Sequence, residues 1–405
     1  MCYNAVMNIP NYPKLKLKQG RDWTARRGHP WVFSGALQTP VPPHKAGTVV
    51  DLEDAGGEFV ARGYYNSGTD IAVRILTVNP DLPIDAHFFA ERLADAYNLR
   101  KTHLDLETTN AFRLVNAEGD YIPGLIADYY AGVVVIQSHT AGIDHLLDYI
   151  IDGIKQVLQP KALLLRNDVQ VRTREGLKRE EPQLIFGEIP KELVVTENNL
   201  KFAVNPWTGQ KTGFYADQRD KRLALLHYSK GSSLLNCFSY SGGFSVYAAH
   251  ANPKLKTTSL DQSAVALELA RRNFSLNNLY SDKHAFVVAD AFEYLQSCTE
   301  RFDTVVLDPP AFTKSHREKE KALQGYVRLN TLGLPLVKPG GILLTCSCSG
   351  SISMEDFSGT IAQAAAQTHR RVQILESLEH GLDHPVNIFT PESRYLKALF
   401  CRVLD

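Results

Sequence analysis

The chain has 405 residues, 44% of them hydrophobic and 22% charged, with Lys plus Arg and Asp plus Glu equal at 44 each. That length admits two or three domains with substantial cores, and the charge balance excludes a chain-wide polycation, so any nucleic-acid contact must come from one basic face. The six cysteines are sparse and mostly embedded in apolar runs, which reads as reduced thiols in a cytoplasmic protein. Cys346 and Cys348 are too few for a zinc site, so no metal is expected. The first residues break at Pro10 and Pro13 without the pattern of a secretion signal, and no apolar run approaches a membrane span; no membrane partner is expected.

Residues 1–80 read as a small β-rich module. Leu15 and Leu17 alternate with Lys14, Lys16 and Lys18 as a half-buried strand does, and 48–52, 59–63 and 71–76 follow as short strands between Gly, Asp and Asn turns. Between the first two lies RDWTARRGHPWVFSGAL. Its Arg26, Arg27 and His29 interleave with Trp23, Trp31 and Phe33, either as a basic face for phosphates and stacked bases or as a surface helix whose aromatics are core.

Pro80 and Pro83 mark a boundary. Residues 85–200 read as a mixed α+β segment: a helix over 87–104, strands at 112–115, 124–130, 133–137 and 162–166, and one amphipathic helix over 143–158. The charged stretch 172–183 is expected to be a solvated loop. Then NPWTGQKTGFYADQRDKR (205–222) concentrates Gln210, Lys211, Tyr215, Asp217, Gln218 and Arg219, more polar chemistry than a core admits. A loop over the mouth of a site is the economical reading.

From 201 onward strands and helices alternate, with strands at 234–237, 257–260, 285–288, 302–307, 341–345, 372–375 and 398–403. That order implies a mostly parallel sheet, covered on both faces, with ligands over the carboxyl ends of its strands. The first strand runs into Phe238, Ser239, Tyr240, Ser241, Gly242 and Gly243 and then a helix, a cradle of free N–H groups suited to a nucleotide-like ligand. Asp261 lies nineteen residues past Gly242, near the spacing at which an acid meets ribose hydroxyls. The GxGxxG pattern is absent, so S-adenosylmethionine fits better than a dinucleotide. Asp290 is read as the end of the third strand.

LDPPAF carries Asp308 to the end of the fourth strand, locked by Pro309 and Pro310. LLTCSCSG brings a thiol to the same rim, with 346 and 348 expected on one side of a continuing strand, so spacing does not choose between them. A thiol beside a methyl donor suits cytosine-C5 chemistry: thiolate addition at C6 makes C5 nucleophilic. The contrary reading is two inert buried cysteines.

These motifs, NCFSYSGGFS, LDPPAF, GGILLTCSCSG, NPWTGQKTGFYADQRDKR and RRGHPWVFSGA, together resemble the ribosomal RNA large-subunit methyltransferase I family over nearly the whole chain. The resemblance implies an α/β fold: an N-terminal PUA-like RNA-binding domain (1–80), a central α+β domain (85–200) and a C-terminal Rossmann-like class I methyltransferase domain (201–405). It implies S-adenosylmethionine as cofactor, held by Phe238, Ser239, Tyr240, Gly242, Gly243, Asp261, Asp290, Asp308 and Gln218. It also implies cytosine-C5 methylation of 23S rRNA, with Cys348 as nucleophile and Asp308 beside it. Phe312 and Tyr215 are expected to stack on the target base, and Lys314 or Asp308 to help release the adduct. Arg26, Arg27, His29 and Trp31 are the expected RNA contacts, and exposed strand edges permit a homodimer. Guanine methylation without covalent catalysis, or a non-catalytic RNA-binding assembly factor, are the alternatives.

Overall fold

The computed structural model describes residues 9–313 and 316–405. They form two compact units, one running to Leu193 and including Val204–Phe214 and Leu382–Ser393, the other made of Val194–Ala203, Tyr215–Gly381 and Arg394–Asp405.

In the first unit, β1 (Lys14–Lys16), β2 (Trp31–Phe33), β3 (Val49–Glu53), β4 (Phe59–Tyr65) and β5 (Ile71–Thr77) make a sheet in the order β1-β3-β4-β5-β2. Alternation buries Leu15, Val50, Leu52, Val60, Val73 and Ile75 on one core. Each fully buried aliphatic contributes about 1.5–3 kcal/mol relative to exposure. The RDWTARRGH stretch gives only a four-residue helix, α1 (Trp23–Arg26), and the expectation that its aromatics are core fails: Trp23 and Phe33 are 52% and 51% exposed. With Gly20 and Gly28 in the left-handed region on either side, there is no length in which to build an amphipathic helix.

The same unit continues with α2 (Ala86–His103), β6 (Ala111–Asn116), β7 (Leu125–Tyr130), β8 (Val133–Ser138), α3 (Ala141–His145), α4 (Leu147–Leu158), β9 (Ala162–Leu165) and β10 (Gln183–Gly187). The second sheet has the order β10-β9-β8-β7-β6, and α2 and α4 bury Phe89, Leu93, Ile150 and Ile154 on it. Tyr64 of β4 lies over Gly142, where a Cβ would meet its ring at 2.0 Å, and its hydroxyl donates to Pro123 O at 2.8 Å. The two sheets therefore share one packed body.

Two expectations need correcting here. The single helix over 143–158 is two, broken at Leu146 (φ −100°, ψ 7°). The stretch 172–183 is mostly exposed, as expected, but Arg172 and Glu175 are buried. Arg172 is 1% exposed, donates to both Asp144 oxygens at 2.8 and 2.9 Å, and caps Ser138 O at 2.7 Å. Buried charge survives there because it is paired and fully hydrogen-bonded.

The second unit opens with the ribbon β11 (Leu193–Glu197) and β12 (Leu200–Val204), then α5 (Arg219–Tyr228), β13 (Ser233–Cys237), α6 (Gly243–Ala251), β14 (Lys256–Asp261), α7 (Ala264–Leu276), β15 (His284–Val288), α8 (Ala291–Ser297) and β16 (Phe302–Leu307). It closes with α9 (Lys319–Gly333), β17 (Val337–Ser347), α10 (Met354–Thr368), β18 (Val372–Leu378) and β19 (Lys397–Val403). The sheet order is β15-β14-β13-β16-β17-β19-β18; the first five strands are parallel and β19 runs antiparallel to both neighbours. Chain order reverses between β13 and β16, so the crevice outside those strand ends is where such a sheet takes a ligand. The expectation of full cover on both faces holds for the central strands alone, since edge strands β15 and β18 are largely half-exposed or exposed.

Candidate active site

The cradle after β13 is strained into shape. Phe238 (φ 58°), Tyr240 (φ 46°) and Gly242 (φ 74°) are all left-handed, a conformation that costs non-glycine residues about 1 kcal/mol or more and persists only where neighbours over-determine it. Those neighbours are visible. Ser239 N donates to Leu260 O at 2.9 Å, Tyr240 N to Asp261 Oδ2 at 2.9 Å, and buried Asn273 holds Ser241 O at 2.8 Å. The glycines also have packing reasons: a Cβ at Gly242 would meet Ala270 Cβ at 2.9 Å, and one at Gly243 would meet Arg222 Cδ at 2.9 Å.

Asp261 accepts from Tyr240 N on one oxygen and from Ser263 N at 2.9 Å on the other, which leaves carboxylate lone pairs for further donors. Asp290 is not the end of a strand. β15 stops at Val288, and exposed Asp290 caps α8, accepting from Phe292 N at 2.8 Å and Glu293 N at 3.1 Å. Its side chain is a preferred partner for orphan helix N–H groups, so Asp290 belongs to the helix start, two residues past the end of the strand.

At the neighbouring strand ends, Gln218 Nε2 donates to Asp308 Oδ1 at 2.8 Å. Cys346 and Cys348 do not share a face, because β17 ends at Ser347 and the alternation ends with it. Cys346 is fully buried beside Leu234, Val306, Ala398 and Phe400; burial, then the charge of Asp308, pushes its thiol well above its ordinary range. Cys348 is half-buried with Sγ 3.7 Å from Pro309 O. Tyr215 is half-buried, edge-on to Tyr240 at 5.4 Å between ring centres, and burial followed by the charges of Asp217 and Asp308 raises its hydroxyl pKa. Phe312 packs on Tyr326 at 4.6 Å and near Phe292 at 6.2 Å. Lys314 lies outside the described residues.

Among the polar atoms buried without a partner among the described residues are Ser239 Oγ in the cradle and Gln218 Oε1 beside Asp308. A buried unsatisfied polar atom costs about 1–3 kcal/mol, so such atoms mark where a polar ligand belongs. Together with the acceptors of Asp261, they suit the amino-acid and ribose parts of a nucleoside-like cofactor.

In the first unit, Arg26 is tied to Asp22 at 2.6 Å and Asp54 at 2.9 Å. Arg27 is exposed and lies over the Trp23 ring at 5.4 Å. Trp31 packs edge-on to His29 and donates through Nε1 to Glu118 at 3.0 Å.

Several residues around the site are not among the expected site residues. Arg222 pairs with buried Glu197, Tyr395 donates to Asp217 at 2.7 Å, and Lys397 holds the turn after Cys348. The signal for Lys397 was a lone lysine inside the apolar run YLKALFCRV; the other pairs span too much sequence to leave one.

Comparison with known proteins decides the family. Residues 15–78 match a PUA-like domain model and residues 124–402 a model for S-adenosylmethionine-dependent methyltransferases. The chain is 38% identical over 394 residues to a ribosomal RNA large subunit methyltransferase I of Pseudoalteromonas atlantica, covering 96% of this chain and 99% of that protein. The chain belongs to the ribosomal RNA large subunit methyltransferase I family. The enzyme of that name from Serratia proteamaculans is likewise 38% identical, over 96% of this chain and 99% of its own length. A crystal structure of SMU.776 complexed with SAH shares the fold of this methyltransferase, with a TM-score of 0.83 at 22% identity over 96% of this chain and all of that one. The α/β class and the S-adenosylmethionine cofactor expected from the sequence hold. Among the described residues no helix is long and apolar enough to cross a membrane.

Proposed function

We propose that this methyltransferase modifies C5 of a cytosine in large-subunit ribosomal RNA, with Cys348 as the covalent nucleophile. The substrate class is that in the names of its relatives. The observation that carries the nucleophile is the unequal fate of the two thiols: Cys346 is sealed in core, while half-buried Cys348 stands beside Pro309, next to Asp308.

The cradle 238–243 and Asp261 would hold the cofactor, and Ser239 Oγ and Gln218 Oε1 would gain partners there. When bound, S-adenosylmethionine supplies the methyl group that C5 takes up. The Cys348 thiolate adds to C6, forming an S–C bond and moving electron density to C5. After C5 is alkylated it loses its proton, and the S–C6 bond breaks to return the thiolate and the aromatic ring. Asp308, fixed by Gln218, is the carboxylate assigned to that proton. The base must leave its stack to reach this rim, and the half-buried Tyr215 ring is available to receive it. In the first unit, exposed Arg27 and Trp23 are the groups best presented for RNA, since both acids near Arg26 already neutralise it.

The test is nucleoside mass spectrometry after incubating unmodified large-subunit rRNA and labelled S-adenosylmethionine with unaltered, Cys346→Ala and Cys348→Ala protein. 5-Methylcytidine is expected from the first two and none from the third. Methylguanosine, or 5-methylcytidine made without Cys348, would sink the covalent reading.

A further inference from the structure

Lys397 is a buried cation that the reaction as drawn does not use. It begins β19, where its partner across the antiparallel ladder is Ser347, the last residue of β17. The residue is 4% exposed, and its Nζ donates to Ser349 O at 2.7 Å and Ile352 O at 2.5 Å. Those carbonyls bracket the turn that starts immediately after Cys348.

The turn has other supports. Ile352 N donates to Ser349 O at 3.2 Å, and Tyr326 OH bonds Ser349 Oγ at 3.0 Å. Bridging two carbonyls needs two donors but no charge, and a buried ammonium with no carboxylate at ion-pair distance among the described residues is an expensive choice. Burial draws its pKa down to about 8; opposing that are Cys348 first, then Glu379 and Asp356. The Ser349 carbonyl it binds belongs to the residue directly after Cys348, which keeps the ammonium close to the thiol.

We propose that Lys397 is a positioning residue for Cys348: it pins the turn that follows the thiol and sets a positive charge beside it that favours the thiolate. The inference takes its purpose from the covalent reading above. Three other groups that feel the Cys348 thiol are not cations: Tyr215 and Tyr326 are phenols pushed upward by burial, Tyr326 to about 12, and the Cys346 thiol is pushed up likewise. Lys221, the other buried lysine among the described residues, interacts with Asp217, Cys346, Asp220 and Asp308, and Asp308 bears a charge of the wrong sign for a thiolate. A neighbouring cation lowers a thiol pKa, and the thiolate is the nucleophile.

The experiment is alkylation of the full-length protein by iodoacetamide between pH 5.5 and 9.5, followed peptide by peptide by mass spectrometry in unaltered, Lys397→Met and Lys397→Arg protein. Half-exposed Cys298 serves as internal reference. The Cys348 midpoint is expected to rise by about one pH unit in Lys397→Met, with a roughly tenfold slower reaction at low pH, and to stay near its original value in Lys397→Arg. Lys397→Gln, which keeps one donor, serves the same comparison where the methionine variant does not fold. An unmoved midpoint in the uncharged variants, or an equal rise in Lys397→Arg, overturns the proposal. Neither RNA nor methyl donor enters this assay, so it stands or falls apart from the methylation result: a shifted midpoint with 5-methylcytidine still made by Cys348→Ala would leave the electrostatics and remove the covalent step.

Discussion

Arg222 reads in sequence as one more basic residue of a polar stretch. In the fold it is 3% exposed and closes on fully buried Glu197 through bonds of 2.7 and 2.8 Å, while Nη2 also donates to Tyr215 O at 3.0 Å. One ion pair thus ties the ribbon β11–β12 to α5 and to the main chain of Tyr215. Removing one partner leaves an uncompensated buried charge, so Arg222→Met or Glu197→Gln should each cost about 3–5 kcal/mol in denaturant unfolding. The double variant should cost clearly less than the two single losses added, because no charge is stranded. Additive losses would mean the two residues act separately. No local pattern announces such a pair: 25 residues separate its members, and only the tertiary fold brings them together. Cys348, Asp308 and the cradle were legible because their chemistry sits in short consecutive motifs at strand ends.

At the scale of elements, the legible parts were those whose signal is a local run of one kind. Strand β16 was expected at 302–307 and lies at Phe302–Leu307, since an apolar β-branched run ending in Asp-Pro-Pro leaves little choice. Arg172 misled because charge was taken for exposure, whereas Asp144 in α3 neutralises it from 28 residues away. The cradle offers a direct test of whether its glycines act through shape. Gly242→Ala puts a Cβ 2.9 Å from Ala270 in a left-handed residue, so the turn must shift and binding of S-adenosylmethionine by calorimetry should weaken tenfold or more. Gly340→Ala has a similar φ of 80° with nothing within 4 Å of its Cβ, and should lose about 1 kcal/mol of stability with unchanged cofactor affinity. Equal affinities for both variants would show that the cradle tolerates movement.

At the scale of the whole molecule, chain order and compact units do not coincide. The first unit includes Leu382–Ser393, drawn from between β18 and β19 of the other unit's sheet. That strap is anchored by polar contacts rather than by an apolar face, which is why hydrophobic periodicity gave no sign of it. Asp383, fully buried, accepts from Arg113 N at 2.8 Å through Oδ2 and from Arg100 Nη2 at 2.7 Å through its carbonyl, with His384 Nδ1 3.0 Å from Oδ1. Farther along, Asn116 Nδ2 donates to Pro385 O at 3.0 Å, and a Cβ at Gly119 would meet that oxygen at 1.9 Å. Asp383→Ala removes the acceptor of the Arg113 amide and the carboxylate beside buried His384, and should cost about 2–4 kcal/mol. Because the damage is confined to one unit's polar anchor, hydrogen exchange should lose protection in the strap, α2 and β6 and keep it in β13, β16 and β17. Equal loss in both sets would mean that the two units unfold as one, and that the strap secures the whole chain rather than the first unit.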